Sequence, residues 1–434
     1  MTPSARLSAA IEAFADIETR RRPAGDALKD WGLSHRFAGS GDRAAIAGLV
    51  YDALRRKASS AWLIGEATPR AVLLGMLRRE RGLDAASIAG LCSGARYAPQ
   101  PLTEAEQAAL ETGTLADAPG HVVGDYPEWL EPYLARAFGD ERAAEGESLA
   151  SRAPLDLRVN TLATSREDLL PKLDHLAAAP ARWSPWGLRI RVAAEAKSPA
   201  IHAEPAFIKG QIEIQDEGSQ LAALLAGAAP GQQVIDLCAG AGGKTLALAA
   251  AMENHGQIYA TDTDKRRLAP IHDRIARADA RNIQVRTPKS VGDVLTDVAG
   301  RADLVLIDAP CTGIGTWRRN PDAKWRIRPG ALEVRLREQE AVLDRAAALV
   351  KPGGRIAYVT CSVLAEENGD QIRGFIGRHG DFSVEKPAEV ITGLGERAYL
   401  FGRAVLISDE GLLMTPRRTD TDGFFVSRLR RAPS

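Results

Sequence analysis

The chain has 434 residues, room for about three domains and a sizeable core. Hydrophobic residues make up 45% and charged residues 26%, and 56 basic against 56 acidic side chains leave no net charge to pull the whole molecule toward nucleic acid. Four cysteines (Cys92, Cys238, Cys311 and Cys361), in neither Cys-x-x-Cys nor metal-ligand spacing, exclude a disulfide framework and a metal site and point to a reduced, cytoplasmic protein.

The first residues show no apolar signal segment, Glu12, Asp16 and Glu18 speak against a transit peptide, and no apolar run reaches the ~20 residues that span a bilayer. Residues 4–115 read as successive helices: Leu7, Ile11, Phe14 and Ile17 recur at helical spacing, as do Ile46, Leu49, Val50 and Leu54. Residues 101–150 carry 11 acidic and 2 basic side chains with Pro119-Gly120 and Tyr126-Pro127, and read as a linker with one short helix, Pro127 to Phe138. From Leu155 the period shortens to two: Leu155 to Val159 and Leu188 to Val192 alternate as half-buried strands around a helical segment, Ser165 to Ala177. After Pro230-Gly231, strands and helices alternate to the end, as in a doubly wound α/β domain. The expected organisation is a helical domain over 1–120, a linker over 121–150, a small α+β module over 151–215 and a Rossmann-like α/β domain over 216–434.

Val234 to Thr245 forms strand, glycine-rich turn and helix start. Glycines admit close backbone approach to a ligand, and the helix start offers free N–H groups. A P-loop is disfavoured because Cys238 stands where its first glycine belongs, and a dinucleotide fingerprint matches only in part because Thr245 replaces its third small residue. S-adenosylmethionine is the third candidate. Asp262, after the apolar run 257–261, stands where an acid takes ribose hydroxyls.

Two thiols complete the pattern. Cys311 in Asp308-Ala309-Pro310-Cys311-Thr312-Gly313 and Cys361 in Thr360-Cys361-Ser362 each follow an apolar, strand-like run, and ligands bind beyond the carboxyl ends of parallel strands. Such a pair beside a carboxylate suits methylation of a cytosine at carbon 5. A thiolate adds to carbon 6, an acid assists at the ring nitrogen, and a base removes the carbon 5 proton so that the thiol leaves. Cys361, Asp308 and Cys311 fill these roles. Spacing alone leaves Cys311, in its Pro-Cys dipeptide, as the alternative nucleophile.

Several motifs in order now resemble one family: Leu157-Arg158-Val159-Asn160-Thr161, Gln215 to Gln220, Asp236 to Thr245, Asp308 to Gly313, Arg318 to Asp322, Lys351-Pro352-Gly353-Gly354, Thr360-Cys361-Ser362 and Asp422-Gly423-Phe424-Phe425. The chain from Leu155 onward resembles the Nol/Nop/Sun RNA cytosine-5 methyltransferases, and most closely their bacterial ribosomal RNA members. The resemblance implies Cys361 as nucleophile, Cys311 in product release, and Asp308 near methyl donor and base. It implies an S-adenosyl-L-methionine loop of Cys238, Ala239, Gly240, Ala241, Gly242, Gly243 and Lys244, with Asp262 on the ribose. The pattern departs after the third strand, where Val285 to Ser290 lacks the usual acid for adenine, leaving Asp293 or backbone groups. The N-terminus resembles a NusB-like RNA-binding domain through Gly41-Asp42-Arg43 and Leu49 to Arg56.

Trp317 to Arg328, with five cations, one acid and two tryptophans, follows the Cys311 loop directly and reads as an RNA-contacting surface. The expected partner is ribosomal RNA or a ribosomal-subunit precursor, bound by a monomer away from membranes, with the target base out of its stack. A non-catalytic assembly factor has no need of Cys361, Cys311 and Asp308 together; a nucleotide hydrolase and a DNA methyltransferase fit the motifs less well.

Overall fold

The computed structural model describes residues 1–191, 199–290 and 292–433; Val192, expected to end the second strand of the small module, lies outside them. Two compact units emerge: residues 1–152 with 317–328, and residues 153–191, 199–316 and 329–433. Among the described residues no helix is long and apolar enough to cross a membrane.

The first unit is helical. Thr2, Thr68 and Asp84 cap helices Pro3–Arg20, Pro69–Arg79 and Ala85–Leu91, and Thr103 with Glu106 forms a capping box on Glu104–Thr112. Leu7, Phe14, Ile17, Ile46, Val50 and Leu54 meet in one core, as their helical spacing predicts.

Two expectations give way to the structure. The acidic stretch 121–150 is more than a linker with one helix. It forms helices Gly120–Val123, Glu131–Phe138 and Arg142–Leu149, burying Tyr126, Leu130, Leu134 and Leu149. Most of its acids lie outward or meet arginines, as Glu131 meets Arg142 at 2.6 Å, so its charge conceals an amphipathic pattern. The basic segment 317–328 is also largely buried or half-buried. Lys324 Nζ donates to the carbonyls of Arg55 (2.8 Å) and Asp125 (2.6 Å), Trp325 Nε1 donates to Leu54 O (2.7 Å), and Asp322 accepts from Ala24 N (3.2 Å). Of its five cations only Arg326 and Arg328 are exposed. The helical carbonyls supply acceptors that make burial cheaper than the composition suggests.

In the second unit, β1 (Leu155–Val159), β2 (Ala179–Pro180), β3 (Gly187–Ile190) and β4 (Ile212–Ile214) form an antiparallel sheet in the order β2-β3-β1-β4. Leu157, Val159, Leu188 and Ile190 build its own core, while the opposite face carries Asp156 and Arg189, paired at 2.7 Å. The segment 165–177 is one α-turn (Arg166–Leu169) followed by a 3₁₀ run (Leu170–Leu176), because Pro171 lacks the N–H that would continue the helix.

The larger sheet contains β5 (Gln233–Asp236), β6 (Gln257–Ala260), β7 (Ile283–Val285), β8 (Ala302–Asp308), β9 (Val350–Thr360), β10 (Phe382–Val384), β11 (Leu406–Ile407), β12 (Leu412–Met414) and β13 (Phe424–Arg431). Its order is β11-β12-β13-β9-β8-β5-β6-β7, with β10 on β13. Strands β5 to β9 pair in parallel and β13 runs antiparallel to β9, the expected doubly wound sheet with an antiparallel extension. The all-apolar run Leu304 to Ile307 is explained by this position: Leu304 and Leu306 enter the core on one face, Val305 and Ile307 the core on the other.

Candidate active site

Strands β5, β6, β8 and β9 end at Asp236, Ala260, Asp308 and Thr360, so the motif residues gather at one carboxyl edge. The turn after β5 enters the helix Gly243–Ala251 through Gly240 (φ 49°) and Gly242 (φ 84°). A Cβ on Gly242 would lie 2.4 Å from Ile271 Cγ1, so only glycine fits. Ala239 N donates to Thr261 O (2.9 Å) and Arg274 Nη1 to Ala241 O (2.8 Å), which fixes the loop by its backbone. The Cys238 side chain leans on the core, and burial pushes its thiol up.

Asp262 is buried after β6 and accepts from Gly240 N (3.0 Å) on one oxygen and Asp264 N (2.9 Å) on the other. Each oxygen keeps a further lone pair for a ligand hydroxyl. It lines a cleft of about 430 Å³ with Thr261, Pro288, Lys289, Asp293 and Arg345. Asp293 Oδ1 accepts from Leu295 N (2.9 Å) and Arg345 Nη2 (2.8 Å). Asp236 accepts from Thr245 Oγ1 (2.7 Å) on Oδ2, while its Oδ1 is buried without a partner, and burial raises its carboxyl to about 7. A glycine turn with room above Gly240, an acid with free lone pairs and an orphaned buried acceptor fit a nucleoside-bearing amino-acid ligand.

Lys244, in the first turn of that helix, donates from Nζ to Asp308 Oδ2 (2.7 Å), and its ammonium lies 4.9 Å from the centre of the Phe424 ring. Asp308 pairs with Val359 across β8 and β9, and this neighbouring register brings the two half-buried thiols together, Cys311 Sγ 3.3 Å from Cys361 Sγ. The hydrogen bond with Cys361, then burial, push the Cys311 thiol well above its usual range, so Cys311 keeps its proton. Gly315 N donates to Cys361 O (2.9 Å), closing one turn over the other. A Cβ on Gly315 would stand 2.1 Å from Gly423 O, which explains the glycine there.

Behind the thiols lie polar residues that sequence reasoning passed over. Glu367, Asn368 and Gln339 are buried and hydrogen-bond to the two cysteine turns. Glu366-Glu367-Asn368-Gly369 reads as a solvated helix start, and its only signal was its place shortly after Cys361.

The family described as 16S rRNA methyltransferase RsmB/F matches residues 223–430, and the RsmF/B-like ferredoxin-like domain matches residues 126–196. The probable ribosomal RNA small subunit methyltransferase B of Synechocystis sp. is 32% identical over 313 residues, 71% of this chain and 67% of its own length. The alignment thus spans about two thirds of that relative. Among solved structures, PH0851 aligns over 99% of both chains with a TM-score of 0.70 at 24% identity. NSun6 from Pyrococcus horikoshii, solved with SFG, covers 72% of this chain and 100% of its own with a TM-score of 0.60 at 23% identity. At these identities the structures speak for the fold, and the sequence relatives speak for descent. By that descent, carried through the motif-bearing sheet edge, the chain belongs to the RsmB/F family of 16S rRNA methyltransferases.

Proposed function

We propose that the protein transfers a methyl group from S-adenosyl-L-methionine to carbon 5 of a cytosine in small-subunit ribosomal RNA, through a covalent bond between Cys361 Sγ and carbon 6. The observation that carries this reading is the thiol pair, 3.3 Å apart at the strand edge that also holds Asp308. When bound, the cofactor supplies an electrophilic methyl group. In the reading, Cys238 to Lys244 and Asp262 hold it, with Asp293 and nearby backbone at the adenine end. The cofactor assignment is supported by the loop geometry and by a fold neighbour that carries SFG, an S-adenosylmethionine analogue.

Cys361, as thiolate, adds to carbon 6 and makes carbon 5 nucleophilic, while Asp308, in its acid form, gives a proton to the ring nitrogen and takes it back on release. Once carbon 5 carries the methyl group, its proton passes to Cys311, which gives its own to the departing Cys361 sulfur as the Sγ–carbon 6 bond breaks. Cys311, protonated and in contact with that sulfur, serves the release step. Residues 1–120 are proposed as the NusB-like RNA-binding part, and the division into 1–120, 121–150, 151–215 and 216–434 as the functional one. An enzyme of ribosomal RNA works in the cytoplasm.

The test uses full-length protein, labelled methyl donor and unmodified ribosomal RNA, comparing wild type with Cys311→Ala on a denaturing gel. Methyl transfer to cytosine carbon 5 by wild type, with a slow-migrating protein–RNA adduct for the variant, is expected. Tight RNA binding without transfer, on naked RNA and assembled particles alike, would make the protein an assembly factor.

A further inference from the structure

We infer that Glu367 and Asn368 are paired positioning residues that clamp the two cysteine turns, and that together they set the separation of the two thiols. The inference rests on the proposed roles of Cys361 in attack and Cys311 in release. Both residues are buried, at 0% and 3% exposure. The Glu367 carboxylate accepts from Thr312 N (2.8 Å), from the Thr312 and Ser362 hydroxyls and from Gln339 Nε2 (3.0 Å). The same Gln339 amide nitrogen donates to Pro310 O (2.9 Å). One carboxylate and one amide therefore hold the residues on both sides of Cys311.

Asn368 does the same for the other turn. Its Nδ2 donates to Ser362 O (3.0 Å), and its Oδ1 accepts from Thr360 Oγ1 (2.6 Å), on either side of Cys361. The Glu367 carbonyl accepts from Tyr358 OH (2.7 Å), which fixes the pair to β9 itself. Being consecutive, Glu367 and Asn368 join the two turns through a single peptide bond, although the cysteines are 50 residues apart in the chain.

A buried carboxylate is costly unless its lone pairs are taken up, and here four donors converge on one. Burial still pushes its carboxyl up, and its negative charge adds to what keeps the proton on Cys311. Group transfer tolerates little misplacement, about 1 Å costing about 10²-fold in rate, so a device holding both sulfurs acts on the chemistry without touching the substrate.

Replacing Glu367 should disturb the Cys311 turn first, and replacing Asn368 the Cys361 turn first. Glu367→Gln, Asn368→Ala, Cys311→Ala and wild-type full-length protein are compared with labelled methyl donor and ribosomal RNA on denaturing gels. Expected for Glu367→Gln is turnover slowed by about 10²-fold with accumulation of the protein–RNA adduct, as attack survives and release fails. Expected for Asn368→Ala is loss of both adduct and product. A purely structural role would lower both readouts together in both variants, and that result, or wild-type turnover by Glu367→Gln, overturns the inference.

A second measurement does not depend on activity. Diamide oxidises two adjacent thiols to a disulfide and is itself reduced to the hydrazine. Formation of the Cys311–Cys361 disulfide, followed by peptide mass spectrometry, should slow in both clamp variants and in Gln339→Leu, the replacement variant should Glu367→Gln not fold. If Cys311→Ala traps no adduct while wild type is active, the assigned thiol roles fail. The diamide rates then decide the clamp alone: slower rates uphold it and unchanged rates overturn it.

Discussion

Lys324 in the helical unit and Asp236 at the sheet edge are both buried ionisable groups driven to about 7, from opposite directions and for the same reason, loss of water around the charge. Their surroundings differ. Lys324 spends two N–H donors on the carbonyls of Arg55 and Asp125, and the Trp325 ring lies 5.0 Å away. Asp236 keeps one oxygen without a partner, at the start of the glycine turn. A perturbed ionisation therefore does not by itself mark chemistry. The mark is unspent hydrogen-bonding capacity at the carboxyl edge of the sheet, and here it separates an anchor from a site.

The sharpest attempt to break this contrast is Cys361→Ala, expected to cut methyl transfer by about 10³-fold or more while leaving the melting temperature near wild type. Residual transfer within about tenfold of wild type would hand the attack to Cys311. Lys324→Ala should do the reverse. It leaves the Arg55 and Asp125 carbonyls without their donor and takes one positive charge from around buried Asp125, and should destabilise by about 3–5 kcal/mol, read as a lowered thermal transition, with Lys324→Met milder. An unchanged melting temperature would show that Lys324 anchors nothing.

Smaller and opposite effects follow from pH. Between pH 7 and 10.5 Lys324 holds a proton in the unfolded chain but not in the folded one, so its contribution to stability rises with pH. Between pH 3.8 and 7 Asp236 holds a proton in the folded chain only, so its contribution falls as pH rises. Each has a limiting slope of about 1.4 kcal/mol per pH unit. Denaturant titrations across both windows should show Lys324→Met flattening only the upper one and Asp236→Asn only the lower. The smallest stability effect belongs to Arg326→Ala with Arg328→Ala, the exposed cations of the otherwise buried segment, at under about 0.5 kcal/mol. If they hold RNA phosphates, the salt dependence of RNA binding drops by about 1 for each phosphate no longer held, and an unchanged slope would place the RNA elsewhere.

The α/β sheet was legible because its signals are local. Leu304 to Ile307 can only be a strand covered on both faces, and the glycines at 240 and 242 mark a turn with positive φ. Charge was a poor guide to exposure. Trp317 to Arg328 reads as a surface from composition, yet Lys324 is fully buried because the carbonyls of two helical segments distant in sequence meet it. Glu367 was invisible for the same reason: its donors come from the turn after β8 and from the helix Pro329–Leu349, while Asn368 meets Thr360 and Ser362 only because the chain folds back on the end of β9.

From the order of residues alone came the motifs, the elements that carry them and the strand ends where chemistry gathers, since helical and strand periods and glycine turns are properties of short windows. Tertiary structure decided that Cys311 and Cys361 lie 3.3 Å apart, which cations are buried, and which polar side chains hold the thiols. Those distances depend on β8 pairing with β9 and on buried acceptors supplied from afar, and no local window of the chain contains both partners.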